Sequence, residues 1–193
     1  MGGRSSILDV DQAAEQALFR DAGGVLRRLH DALPECDLPG WAETKVERLE
    51  RWVARAPEGL LEPGDVAFAR SMIRELPELP APCGVPCHGD WQPRNWLVTA
   101  EGSVLTFDFE RTAINWWCHD ILRMWWREWT DRADLAEAHL EGYGRRPDDD
   151  ERAMITAVSA AEHITQIVWA TEHGDTSFAD AGRQNLAVMR RAS

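Results

Sequence analysis

Three side chains near the middle of the chain offer oxygen atoms at a spacing that can serve one metal ion and one proton transfer: Asp90, Asn95 and Asp108. Asp90 and Asn95 lie in the run C-H-G-D-W-Q-P-R-N-W-L-V, residues 87–98, and Asp108 lies in L-T-F-D-F-E, residues 105–110. Residues 96–98 and 104–107 read as two short strands, with 99–103 as the turn between them. A turn symmetric about Glu101 and Gly102 pairs 97 with 106 and 95 with 108, which sets Asn95 opposite Asp108 at the open end of a hairpin. Directly opposed residues have Cβ atoms about 5 Å apart, so an amide oxygen and a carboxylate could meet on one ion. Both are hard oxygen ligands, the type that Mg²⁺ accepts beside phosphate oxygens and waters. Asp90, on the loop entering the hairpin, could reach the same space, where a carboxylate can orient an attacking hydroxyl and accept its proton.

Helices must position that hairpin. Asp9 reads as an N-cap with Gln12 three residues on, and Leu18, Ala22, Val25 and Leu29 recur at helical spacing until Pro34 ends the segment. A second helix is expected over 41–56, ahead of Pro57, and a third over 63–76, with Pro63 at its start and Pro77 at its stop. Pro77, Pro80, Pro82 and Pro86 predict an extended loop, because neither a helix interior nor a central strand accepts them. Beyond the hairpin, helices are expected over 120–129, 133–142, 149–173 and 177–190. The expected fold class is mainly α with a small β-hairpin, an α+β arrangement in a single domain. Helices fill 9–76, the loop and hairpin 77–110, and a helical subdomain 111–193.

Composition narrows the partners. At 193 residues the chain has the length of one ordinary domain, and folding at that size buries about 70% of the unfolded surface. No apolar run approaches the roughly 18 residues that span a bilayer, and the start M-G-G-R-S-S lacks a secretory apolar stretch, so a cytoplasmic protein without a membrane partner is expected. Four cysteines in such a chain read as reduced thiols. A net charge of -12 argues against nucleic acid, which needs clustered Lys and Arg. It suits a cationic small molecule, although acidic surfaces also serve solubility.

The run H-G-D-W-Q-P-R-N resembles the catalytic loop of the aminoglycoside phosphotransferase and choline kinase superfamily, and D-F-E resembles its counterpart of the protein kinase D-F-G. A-G-G-V-L-R-R-L-H-D-A, residues 22–32, is similar to that family's first C-lobe helix. W-W-C-H-D-I-L, residues 116–122, is similar to the segment whose aspartate braces the catalytic loop. The resemblance implies the C-terminal lobe of a protein-kinase-like fold and an ATP- and Mg²⁺-dependent transfer of the γ-phosphate to a small-molecule hydroxyl. It implies Asp90 as catalytic base, Asn95 and Asp108 as the ligands that hold Mg²⁺ and with it the nucleotide, and Glu110 as a further oxygen that could approach the metal. His88 would organise the loop and Asp120 would brace it. The resemblance begins at about residue 8, beyond the family's hinge. Lys45, the one lysine, lies in a charged helical stretch, and no Gly-rich phosphate loop precedes it. A C-lobe without its N-lobe is therefore expected, with residues 1–8 a disordered start or a hinge remnant. The N-lobe would be truncated, supplied by a separate chain, or lost.

Plainer roles exist for single residues. His88 could be a core histidine bonded to a carbonyl, Asp120 a helix N-cap, Glu110 solvated, and Arg94 a salt-bridge partner rather than a phosphate contact. Two other classes compete with the enzyme. One is a pseudokinase-like module that binds a nucleotide or partner without chemistry. The other is a zinc-stapled structural domain using Cys83, Cys87, Cys118 and His119, whose spacing is atypical. Trp116, Trp117, Trp125, Trp126 and Trp129 could meet an ammonium group, but five rings on two helical faces fit core packing better. A cationic amino sugar would be met by several of Glu137, Glu141, Asp148, Asp149, Glu162 and Glu172 beside Asp90.

Overall fold

The computed structural model describes residues 10–192. The expected start over 1–8 and the Asp9 cap lie outside them. In chain order the helices are α1 (Gln12–His30), α2 (Trp41–Arg55), α3 (Pro63–Arg74), α4 (Leu122–Trp125), α5 (Ala133–Tyr143), α6 (Asp149–Glu172) and α7 (Thr176–Ala192). The strands are β1 (Cys36–Asp37), β2 (Cys83–Cys87), β3 (Trp96–Val98), β4 (Val104–Thr106) and β5 (Ala113–Trp116). Single 3-10 turns occupy Leu76–Glu78, Pro93–Asn95, Phe109–Arg111 and Trp117–Asp120. The molecule is thus mainly helical with small antiparallel sheets, and no described helix is long and apolar enough to cross a membrane.

The described residues form two compact units, one of 10–38 with Pro82–Pro147 and one of Pro39–Ala81 with 148–192. All candidate catalytic and metal-binding residues belong to the first. There α1 starts at Asp11, whose side chain accepts the Ala14 N–H at 2.9 Å. It buries Leu18, Phe19, Ala22 and Leu26 and packs on α5. Two glycines let the helix backbones approach. A Cβ on Gly23 would lie 2.1 Å from the His139 carbonyl oxygen, and one on Gly142 would lie 1.8 Å from that of Arg20.

Two sheets, rather than a hairpin alone, follow. β3 and β4 form the expected hairpin, while β1, β2 and β5 form an antiparallel sheet with β2 in the centre. The proline-rich stretch therefore ends in a central strand, contrary to the loop expected from its prolines. Pro86 is tolerated there because two-residue β1 pairs only with Cys83 and Gly84, so Pro86 lies past its end and is paired on the β5 side alone. The helix expected over 120–129 contracts to a 3-10 turn and one turn of α4. Trp129 N–H closes it by donating to Met124 C=O at 2.9 Å, five residues back, and the Trp129 ring is buried.

The second unit is helical. α6 opens with a capping box between Asp148 and Glu151 and buries most of its length against α2, α3 and α7. Ion pairs Arg48–Glu162, Arg55–Glu172 and Arg190–Asp65 tie its surface.

Candidate active site

The loop that follows β2 is built on one buried carboxylate. Asp120 ends the 3-10 turn after β5 and reaches back under the loop, where it accepts the backbone N–H groups of His88 and Gly89, each at 2.7 Å. His30 Nε2 donates to it at 3.0 Å, and His30 Nδ1 meets the Tyr143 hydroxyl at 2.8 Å. Burial by itself pushes the Asp120 carboxyl up, but the hydrogen bond and charge of His30, the charge of His119 and the Gly89 N–H outweigh it and hold the carboxyl below its ordinary range. The bracing role expected of Asp120 therefore has its geometry. Gly89 turns with φ +79°, and a Cβ there would stand 2.2 Å from the Arg111 carbonyl oxygen, so this position requires glycine.

His88 is fully buried and links the loop to the hairpin. Its Nδ1 accepts the Asp90 N–H at 3.3 Å, which puts the ring proton on Nε2, facing Phe107 C=O at 2.9 Å and the Thr106 hydroxyl at 3.0 Å. These bonds join the loop to the hairpin through the His88 ring.

The hairpin register differs from the expected one by a residue. Trp96 pairs with Thr106, Leu97 with Leu105 and Val98 with Val104. Thr99 N–H donates to Ser103 C=O and Gly102 N–H to Thr99 C=O, so the loop holds three residues, with Gly102 at φ +80°. The symmetric two-residue turn ignored that left-handed glycine. Asn95 accordingly opposes Phe107, whose N–H donates to Asn95 C=O at 3.2 Å. Asp108 falls one position past the ladder with φ +65° and ψ +63°, alone among the described non-glycine residues in a positive φ. It and Glu110 are exposed, and neither forms a hydrogen bond or ion pair among the described residues.

Asp90 and Asn95 do come together. Asn95 Nδ2 donates to the Asp90 backbone carbonyl at 2.8 Å and to its Oδ2 at 3.2 Å, and both residues are buried. Asp90 has three further partners: Gln92 Nε2 and Arg123 Nη1 on Oδ1, and Arg94 Nη2 on Oδ2 at 2.9 Å. Burial pushes the Asp90 carboxyl up, yet the Arg123 charge, the Arg94 hydrogen bond and charge, and the Asn95 amide hold it below the ordinary range. Arg94 is thus a salt-bridge partner, as its plainer reading has it. Gln92, Arg123, His30 and Tyr143 escape sequence reasoning. Gln92 is two residues from Asp90 and could have been found by proximity, whereas Arg123 reaches Asp90, His30 reaches Asp120 and Tyr143 reaches His30 only through tertiary folding.

Other expected groupings do not form in this unit. Cys83, Cys87, Cys118 and His119 make no common cluster among the described residues. Among the described residues the one convergence of candidate ligand atoms is His30, Cys87 and Asp120, where His30 and Asp120 are already engaged in the hydrogen bonds described. Trp116, Trp117 and Trp129 are core residues, Trp117 stacking on Tyr143 with centroids 4.8 Å apart. Glu137 and Glu141 are paired with Arg146 and Arg20, while Asp148, Asp149, Glu162 and Glu172 belong to the second unit. Lys45 also lies there, on α2, with its ammonium 5.6 Å from the Trp41 ring.

Known proteins resemble this arrangement. The sequence profile described as phosphotransferase enzyme family matches residues 3–155. A search of curated proteins gives no match. Among solved structures, a thermostable mutant of aminoglycoside phosphotransferase APH(4)-Ia, in a ternary complex with ADP and hygromycin B, superposes with TM-score 0.72 at 13% identity, over 96% of this chain and 68% of that one. Macrolide 2'-phosphotransferase type I gives 0.64 at 16% identity, over 96% and 64%. Choline kinase LicA from Streptococcus pneumoniae gives 0.61 at 14% identity, over 93% and 66%. The chain thus spans about two thirds of the length of these structures.

Proposed function

The chain belongs to the phosphotransferase enzyme family, and from that premise we propose that it transfers the γ-phosphate of ATP to the hydroxyl of a small molecule, with Mg²⁺ as the metal. Asp90 takes the hydroxyl proton. Asn95 and Asp108 hold the ion, with Glu110 at its margin, and Mg²⁺ when bound neutralises the phosphate charge. The donor set fits a hard cation. Asn95 Nδ2 is committed to Asp90, which leaves the amide oxygen as its free end, and the Asp108 carboxylate is exposed and unpaired among the described residues. Cross-strand Leu97 and Leu105 are also exposed, 56% and 55%, and give the hairpin an apolar face on which a flat ring can rest.

One observation carries this reading: a buried aspartate and asparagine are bonded to each other on a loop whose backbone is fixed from below by Asp120. The superposed ADP complex supports a nucleotide as donor, and the names of the similar structures support a small-molecule acceptor. We read the chain as the helical lobe of a kinase-like fold. Its single lysine is on a helix rather than a strand beside a Gly-rich loop, so turnover by the 193-residue chain alone is expected to be slight.

The test is ATP-to-ADP conversion with Mg²⁺, with and without a supplied N-lobe. Asp90→Asn should lower turnover far more than nucleotide affinity, while Asp108→Ala should weaken Mg²⁺-dependent nucleotide binding as well. Equal insensitivity of a working enzyme to both would sink the assignment. A second reading, a binding module without chemistry, draws on the two arginines that occupy Asp90. Undiminished nucleotide binding with no turnover in any complete preparation would favour it.

A further inference from the structure

Every acceptor position of the Asp90 carboxylate is taken: Gln92 and Arg123 share Oδ1, and Arg94 and Asn95 share Oδ2. A carboxylate offers about four lone-pair directions, so an incoming hydroxyl finds none open until a donor leaves. Gln92 and Asn95 are 2% and 4% exposed, whereas the side chains of Arg94 and Arg123 are 65% and 37% exposed. The guanidiniums are the donors with room to move. They also set the local charge. Two cations stand on one carboxylate, in a chain of net charge -12, and Arg127 follows with Nη1 3.5 Å from Gln92 Oε1. The acidic neighbour Glu128 reaches Arg127 only at 3.9 Å.

A guanidinium fork leaves a carboxylate for another oxyanion of similar shape, and it repels an ammonium group. We propose that Arg94 and Arg123 are a specificity pair: they cap Asp90 in the resting site and swing to a phosphate or carboxylate carried by the acceptor, which is therefore an anionic hydroxyl compound rather than a cationic one. This rests on Asp90 being the acceptor-facing base. The terminal phosphate of the nucleotide offers the same oxyanion chemistry, and the test separates the two sources.

Titration calorimetry on the 193-residue chain compares glycerol phosphate, glycerol, choline and inorganic pyrophosphate. Glycerol phosphate should bind at least tenfold tighter than glycerol or choline, about the effect of one charge-assisted pair. Arg94→Gln, at a side chain exposed enough to spare the fold, and Arg123→Gln should each weaken it about tenfold. Asp90→Asn, which releases both guanidiniums, should tighten it. Choline binding as tightly as glycerol phosphate, glycerol phosphate binding untouched by both arginine substitutions, or no binding even to Asp90→Asn overturns the proposal. Loss of pyrophosphate binding alone on arginine substitution assigns the anion to the nucleotide and overturns the acceptor claim. In a preparation that turns over, Asp90→Asn that tightens glycerol phosphate yet keeps turnover removes Asp90 from the chemistry while the pair stands. Lost turnover with anion binding unchanged by Asp90→Asn does the reverse.

Discussion

Asp120→Asn keeps the shape of the buried brace and removes its charge. The Oδ1 side meets one donor, Gly89 N–H at 2.7 Å, and the Oδ2 side meets two, His88 N–H at 2.7 Å and His30 Nε2 at 3.0 Å. The new NH₂ group settles on the side that costs less, against Gly89. One charge-assisted hydrogen bond is lost and a buried N–H is left facing another donor, which costs about 1.5–3 kcal/mol. The remaining two bonds become neutral, at roughly 0.5–1 kcal/mol each. Relief of the buried charge works the other way. Because the carboxyl is held below its ordinary range despite its burial, the folded environment favours the ionised form on balance, and the net change is a loss. The sum is a destabilisation of about 3 kcal/mol, a large part of the 5–15 kcal/mol typical of a whole protein. Urea unfolding followed by tryptophan fluorescence reads the total, and amide exchange at His88 and Gly89 reads the local part. A loss under about 1 kcal/mol with both amides still protected would refute the bracing role.

Gly89→Ala should destabilise the loop by at least 1–2 kcal/mol, roughly the cost of a left-handed alanine before its clash with Arg111 C=O is added, and in any preparation that turns over it should abolish the proposed activity. Comparable amide exchange in variant and parent would contradict this. Burial lowers His139 to about 3 and His163 to about 4, while the unfolded chain takes up those protons near pH 6.5. The unfolded state then binds more protons as pH falls, so stability drops by about 2 kcal/mol per histidine between pH 7 and 5, and His139→Gln or His163→Gln should flatten that slope in urea titrations. Asp108→Gly should raise stability by up to about 1 kcal/mol by relieving the left-handed backbone, while weakening Mg²⁺-dependent nucleotide binding. A clear stability loss in Asp108→Gly would mean that its carboxylate holds the fold.

Local signals carried most of the helices, since 3.6-residue periodicity and prolines at the ends of α2 and α3 need no tertiary information. The three-stranded sheet was illegible because its edge strand β1 is two residues long and its centre contains Pro86, so pairing across the chain overrode composition. The hairpin was legible as an element but not in register. One left-handed glycine decides between a two- and a three-residue loop, and a shift of one residue moves every side chain to the other face. His88, Asp90, Asn95 and Asp120 were readable as a set because their spacing is local or matches a known pattern. Arg123 is not, since it approaches Asp90 from 33 residues away.

The left-handed Asp108 follows from its neighbours rather than from its own preference. On its N-terminal side, Phe107 C=O is held by His88 Nε2 and Phe107 N–H by Asn95 C=O. On its C-terminal side, the Arg111 carbonyl lies against Gly89, close enough that only a residue without a Cβ fits. Both anchors belong to the loop that carries Asp90, and that loop is fixed in turn by Asp120. Asp108 must bridge two points whose separation is set elsewhere, and a non-glycine residue in that conformation costs of order 1–3 kcal/mol. Aspartate meets the demand better than a branched residue, because its short side chain tolerates the left-handed region. The strain persists because the contacts on either side over-determine it, and the consequence is chemical. The carboxylate at 108 and the amide at 95 are tied to the same loop as Asp90, so the base and the two oxygens proposed for the cation are fixed by one set of bonds, and a change at Gly89 or Asp120 should disturb all three together.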